Sequence, residues 1–442
     1  MSDKDSTHPA SLTLVCASCG ATAPGATTRF RCECGVPLDL PAETFPIQHV
    51  TPQQLRFQFA GRLSAPPGDL SASGVWRYRE LVLPLTGEHV VTRQEGNTPL
   101  YHVGAAERGG WRRIGEYAGI ERLFLKHEGA NPTGSFKDRG MTVGISVARA
   151  LGARAVACAS TGNTSASLAA YAAQAGLPAL VFLPAGKVAG GKLAQTLAFG
   201  ARLVEVDGDF DEAMCQVERV ASELGIYLLN SINPYRLAGQ RSIAYELLQQ
   251  FDWQPPDWIV LPAGNLGNTS AIGAGLLHAH ALGLIGRVPR IAAVQAAGAN
   301  PFYRSFAASW QELQPVHAAT RATAINIGAP VSVRRARAVV EATNGVVTEA
   351  SDEDIFAAKA AIDRAGIGCE PASAAALAGA HRLVHEGVIA HDSSVVLILT
   401  GHLLKDPEQA TGPQAEDTGG ATPELDTLLH AVREAVKRSE HR

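Results

Sequence analysis

ARAVACAS at 153–160, PALVFLP at 178–184, ARLVEV at 201–206 and IYLLN at 226–230 are short runs of aliphatic and β-branched residues. Helical stretches at 163–175, 188–199 and 209–224 lie between them. Strand-length runs alternating with helices are the signature of successive right-handed βαβ units, and so of one open parallel sheet. A second set follows, with strands expected at WIVLP (258–262), RIAAVQ (290–295), VVT (346–348) and VVLIL (395–399), and helices near 269–283, 351–365 and 373–387. The expected class is α/β with two open parallel-sheet lobes: a smaller one over 125–240, and a larger one from 96–124 with 241–407. Residues 41–95 mix Pro and Gly with amphipathic pieces such as LRFQFAGRL and WRYRELVLPL, and read as a connecting segment packed on the core. Residues 408–422 read as a flexible linker and 423–440 as a terminal helix, together a 408–442 tail.

At 442 residues the chain has material for about three compact units. Its 38 basic and 42 acidic residues leave a net charge of −4 with no Lys/Arg block, so the electrostatic footprint of a nucleic-acid or membrane-surface binder is missing. A small-molecule substrate is the expectation. The polar start MSDKDSTHPA leads into no apolar run, and no apolar stretch approaches the roughly 20 residues a spanning helix needs. The cytoplasm is therefore the expected compartment. Four of seven cysteines crowd into 16–34, as Cys16-Ala-Ser-Cys19-Gly and Cys32-Glu-Cys34-Gly. The odd total argues against a disulfide framework. Four thiolates at this spacing can close a tetrahedral structural zinc site within a zinc-ribbon-like element over 1–40, leaving no open position for substrate. The C-x-C form of the second pair weakens that match, and a reduced, metal-free arm is the alternative.

Chemistry concentrates in three strand-to-helix turns. HEGANPTGSFKDRGM (127–141) sets Lys137 where a loop enters a helix expected to begin near Asp138. The positive end of a helix, with desolvation by Phe136, disfavours the ammonium and leaves a nucleophilic amine suited to Schiff-base chemistry. The competing reading is an exposed lysine paired with Asp138. STGNTSAS (160–167) gathers small donors at a helix start, and PAGNLGN (262–268) repeats the design, with glycines that let backbone N–H groups surround an anion. The second stretch fits neither the G-x-x-x-x-G-K-[ST] nor the G-x-G-x-x-G nucleotide pattern. LTGH (399–402) puts Thr400 beyond the carboxyl end of a strand, where ligands of parallel sheets gather. An imine lysine, two anion cradles and a hydroxyl donor form the inventory that pyridoxal phosphate requires.

In order along the chain, EGNTPL (95–100), NPTGSFKDRG (131–140), STGNTSAS (160–167), NSINPYRLAGQ (230–240), PAGNLGN (262–268) and LTGHLLKDP (399–407) resemble the threonine synthase family. That family lies within the tryptophan-synthase-β-like, fold type II group of pyridoxal-phosphate enzymes, and the resemblance spans roughly 92–407. It implies that Lys137 holds the cofactor, that Asn163 bonds its phenolic oxygen, that Gly264, Asn265, Leu266, Gly267 and Asn268 cradle its phosphate, and that Thr400 meets its pyridine nitrogen. It further implies a substrate-phosphate site of Thr164, Asn230, Ser231 and Arg236, a cofactor-binding role for the larger lobe and mobility of the smaller one. The implied reaction takes O-phospho-L-homoserine and water to L-threonine and phosphate by γ-elimination and β-hydration. The cysteine pairs resemble the ribbon of many members, and a homodimer is the family expectation.

Sibling readings are an enzyme acting on O-phosphoserine, cysteate-synthase-like, or a threonine/serine dehydratase. A non-catalytic cofactor carrier or zinc-ribbon interaction protein is a reading of another class. Arg236 discriminates among the siblings, since only a phosphorylated substrate needs it. His278 and His280 lack a partner pair at metal spacing and read as surface residues. His127 and Glu128 read as neighbours of the lysine loop or as a cap on its strand.

Overall fold

The computed structural model describes residues 8–409 apart from 46, 48, 49, 161, 185–189, 207–216 and 218–222. Most of the helix expected over 209–224, and the linker and helix expected beyond 409, lie outside the described residues. Among those described, no helix is long and apolar enough to cross a membrane.

Three sheets carry the fold. The first is small and antiparallel, with β1 (Thr13–Cys16) between β2 (Thr22–Pro24) and β3 (Leu38–Asp39). Two open sheets follow from the alternation of apolar strands and helices. The larger is six-stranded, built from β4 (Leu100–His102), β5 (Arg122–His127), β10 (Trp258–Pro262), β11 (Arg290–Ala296), β12 (Val346–Ala350) and β13 (Ser394–Leu399), in the order β12-β11-β10-β13-β5-β4. Only the β4–β5 pairing is antiparallel. The smaller contains β6 (Val156–Ala159), β7 (Ala179–Pro184), β8 (Arg202–Val206) and β9 (Tyr227–Leu228), all parallel, in the order β8-β7-β6-β9.

Helices cover the central strands, so those strands are apolar throughout rather than alternating. Every residue of β10 and β13 is buried, including Val260, Leu261, Leu397 and Leu399. The segment ahead of β4 packs as well: Trp76 and Tyr78 are buried, and the Trp76 indole donates to Thr142 Oγ1 at 2.8 Å. The strand order reverses around β6 in the small sheet and around β10 and β13 in the large one. Crevices outside the carboxyl ends of strands open at such reversals, and the motif turns lie there.

The sequence expectation for His278 is corrected here. This histidine faces inward from helix Gly267–Ala281, with Nδ1 2.9 Å from the Tyr245 hydroxyl, while His280 is exposed. The helix has apolar residues on all sides, so periodicity gave no inward face to read. Burial pushes the His278 pKa down to about 4, so it is a neutral core residue at physiological pH.

Candidate active site

Lys137 is the first residue of helix Lys137–Ala150, which follows β5 after the loop 128–136. That loop is tied to the turn after β13: Phe136 N–H donates to Thr400 O at 3.0 Å, and His402 N–H donates to Gly134 O at 2.8 Å. The two motifs, about 260 residues apart in sequence, thus form one wall. Lys137 Nζ lies 4.1 Å from the centroid of the Phe136 ring. Burial, with a further contribution from the Arg236 charge, lowers its pKa to about 7, against an opposing pull from Glu370. About half of the lysine is therefore free amine near neutral pH.

The alternative ion pair with Asp138 is not what forms. The Asp138 carboxylate turns inward, accepting from Thr133 N–H at 2.7 Å, Thr133 Oγ1 at 2.6 Å and Ser167 Oγ at 2.6 Å. Burial raises its pKa to about 6 despite those bonds. Glu128 and Arg139, flanking the loop, are both buried and joined at 2.7 Å. His127 is buried too, with Nε2 2.9 Å from Gly368 O. These residues fix the loop.

The glycine-rich turn 264–268 starts helix Gly267–Ala281 without any side-chain cap, and Leu266 takes a left-handed φ of 64°. Gly264 is pressed against residue 325, whose Cα would lie 3.1 Å from an added Cβ. A helix start exposes N–H groups that no residue of the helix can satisfy. Beside them, both polar atoms of the Asn268 side chain and the Thr269 hydroxyl are buried with no hydrogen-bond partner among the described residues. Such groups cost about 1–3 kcal/mol each when left unpaired, so the turn is built for an anion. Asn265 turns away, donating to Ser231 Oγ at 2.7 Å and accepting from Val331 N–H at 2.6 Å.

Arg236 is 1% exposed on helix Pro234–Gln240, donates to Leu229 O at 2.9 Å and leaves Nε without a partner. No carboxylate pairs with it among the described residues, and burial lowers its pKa to about 10. Asn230 is already engaged with the end of β6, accepting from Ala159 N–H and donating to Ala159 O, each at 3.0 Å. Thr164 is half-buried in the first turn of helix Asn163–Ala175.

A model of the family described as "Pyridoxal-phosphate dependent enzyme" matches residues 91–401. Threonine synthase of Methanosarcina acetivorans is 47% identical over 82% of this chain and 86% of its own length. That of Methanocaldococcus jannaschii is 43% identical over 89% of this chain and 93% of its own. The chain belongs to the threonine synthase family. Its class of chemistry is that of a pyridoxal-phosphate-dependent lyase. The crystal structure of threonine synthase from Escherichia coli shares the fold, with a TM-score of 0.65 and 17% identity over 90% of each chain.

The lysine, the orphaned donors at the glycine-rich turn and the hydroxyl of Thr400 fit the aldehyde, phosphate and ring nitrogen of the cofactor used by threonine synthases. Sequence reasoning missed three residues of this wall. Thr269 adds its unpaired hydroxyl to the turn. Glu370 and Ser373 begin helix Pro371–His385, where Glu370 is 3% exposed. A glutamate before a proline reads as an ordinary helix start, and nothing local signals its neighbours.

Proposed function

We propose that this chain converts O-phospho-L-homoserine and water into L-threonine and phosphate. The observation that carries the reading is Arg236, a buried cation with no carboxylate partner among the described residues and close enough to Lys137 to depress its pKa. A guanidinium fork is suited to a phosphate ester, and a dehydratase acting on an unphosphorylated amino acid has no use for one there.

When bound, pyridoxal phosphate supplies an electron sink for the carbon that bears the substrate's amino group. Lys137 would hold the cofactor through its amine, and as a free amine with a pKa of about 7 it is suited to move protons between Cα, Cβ and Cγ of the substrate. Gly264 through Asn268 would hold the cofactor phosphate, Asn163 would donate to its phenolic oxygen and Thr400 would meet its ring nitrogen. Thr164, Asn230, Ser231 and Arg236 hold the substrate phosphate. That phosphate leaves Cγ but stays with Arg236, and its oxygens are suited to take a proton from the water adding at Cβ. Closure of the smaller lobe, 125–240, over the larger keeps other water out.

The cysteines suit one structural zinc ion. Their four Sγ atoms lie within 4.8 Å of one another, and Gly20 and Gly35 take φ of 74° and 83° at the turns beside them. A homodimer in the cytoplasm completes the reading.

The test offers purified, cofactor-loaded protein O-phosphohomoserine and O-phosphoserine in parallel, with phosphate and threonine measured. Stoichiometric threonine and phosphate from phosphohomoserine is the expected result. Keto acid in its place, or phosphate from phosphoserine alone, moves the chain to a sibling activity. Lys137→Ala is expected to abolish the visible absorbance of the bound cofactor, and an unchanged band overturns that lysine's role.

A further inference from the structure

Glu370 is a buried carboxyl group beside the proposed cofactor site for which the proposed reaction has no task. Its Oε2 accepts from Asn163 Nδ2 at 2.9 Å, and its Oε1 accepts from Thr400 Oγ1 at 3.3 Å. Asn163 begins the helix after β6 of the small sheet, and Thr400 directly follows β13 of the large one. One carboxyl group therefore joins the residues assigned to the phenolic oxygen and the ring nitrogen of the cofactor. Gly401 makes room for it: an added Cβ there would fall 2.4 Å from the carboxyl carbon and one of its oxygens.

The hydrogens can be counted. Ser373 Oγ accepts from Gly401 N–H at 2.9 Å, and its own hydrogen has a nearer acceptor in Thr400 Oγ1 at 2.9 Å than in Gly401 O at 3.4 Å, so Ser373 is taken as the donor to Thr400. Thr400 Oγ1 then has one hydrogen to give. While Glu370 is ionised that hydrogen goes to the carboxylate, and the hydroxyl offers a ring nitrogen only a lone pair. A protonated Glu370 donates to Thr400 instead, which frees the hydroxyl to donate to the ring nitrogen. A ring nitrogen met by a lone pair is favoured protonated and draws electrons strongly. One met by a hydrogen stays neutral and draws them weakly.

We propose that Glu370 is a positioning residue which, through Thr400 and Ser373, sets the direction of the hydrogen bond to the cofactor's ring nitrogen and orients the Asn163 amide at the phenolic oxygen. This rests on the reading that pyridoxal phosphate lies between Lys137 and Thr400. The charged groups facing Glu370 are Lys137 from its helix and Lys405 from the turn after β13, and Cys369 precedes it in the chain. Burial raises its pKa, while Asn163, the two lysines and Thr400 act the other way.

The test follows the visible absorbance of the bound cofactor from pH 5 to 9 in wild type, Glu370→Gln, Thr400→Val and the double variant. The Gln amide donates to Thr400 as a protonated carboxyl does, so Glu370→Gln is expected to lose the pH-dependent shift of the wild-type band with cofactor content unchanged. It is also expected to lower kcat with little change in KM, because the substrate-phosphate residues are untouched. In the Thr400→Val background the same change is expected to add nothing. A wild-type band that does not move with pH, or a shift that survives in Glu370→Gln, overturns the proposal. Should Glu370→Gln fail to fold, Thr400→Val decides alone, since a shift persisting there removes the relay. Failure of the underlying reading looks different: the band then survives Lys137→Ala. Failure to make threonine, with the band responding as described, refutes the substrate and leaves Glu370 in place.

Discussion

A buried arginine without a carboxylate costs stability, since its charge has left water and found one carbonyl in exchange. Arg236 is therefore a residue kept at the expense of the fold, and its two effects can be separated. Arg236→Met, which conserves much of the volume, is expected to raise the melting temperature of the ligand-free protein. Inorganic phosphate is expected to raise that of the wild type and leave the variant unmoved. The same change removes charge-assisted hydrogen bonds worth roughly 1.5–3 kcal/mol, so KM for the phosphorylated substrate is expected to rise by about 10- to 150-fold. Calorimetry with and without phosphate checks both signs, and a variant less stable than the wild type would show that Arg236 holds the core together. Arg236, Lys137 and Asn163 could be singled out as candidates from the sequence because each lies in a short motif that carries its own turn. Glu370 could not, because its meaning depends on residues 207 positions before it and 30 after it.

Elements show the same division. The strands from β5 onward were legible because each is an apolar run bounded by turn residues, and the antiparallel β1–β3 element was legible only through its cysteines. What the spacing of those cysteines could not give is where the element docks. The Tyr235 hydroxyl donates to Gly25 O at 2.8 Å, the Phe30 ring meets Tyr227 edge-on at 5.6 Å, and Asp39 pairs with Arg335 at 2.9 Å. Tyr235 is the neighbour of Arg236, so the cysteine element braces the helix that carries Arg236. N–H groups of Cys19 and Ser18 lower the Cys16 pKa to about 6, which favours the thiolate form that a zinc ligand would need. Metal analysis is expected to find one zinc per chain, and none after Cys16→Ser with Cys19→Ser. That double variant is also expected to weaken phosphate binding through Tyr235. Full phosphate affinity in a metal-free variant would separate the element from the site.

For the whole molecule, the decisive polar feature is a buried cluster that ties four segments together. Glu246, on helix Ser242–Gln250, accepts from Lys126 of β5 at 2.5 Å and from Arg139 of the lysine helix at 2.8 Å, while backbone N–H groups of Asn97 and Thr98 reach it at 2.8 and 3.0 Å. Glu128 takes the other side of Arg139. Two cations face two carboxylates, so the charges balance only when all four are present. Glu246→Gln leaves excess positive charge in the interior, and the expected loss is about 3–5 kcal/mol, read as a lower urea midpoint at pH 7. The pH dependence has a definite sign. Despite burial, Arg139 and Lys126 hold the Glu246 carboxyl well below its ordinary value, and Arg139 does the same for Glu128. A carboxyl depressed in the folded state lends stability that is fully present above the unfolded pKa of about 4.3 and is lost as pH falls below it toward the folded value. The wild type is therefore expected to lose urea resistance steeply below about pH 4, and Glu246→Gln to lose it less steeply, because one of the two carboxyls is already gone. Equal slopes in the two proteins would place the acid-sensitive groups outside this cluster. An unchanged midpoint at pH 7 would mean that water, rather than Glu246, balances the two cations.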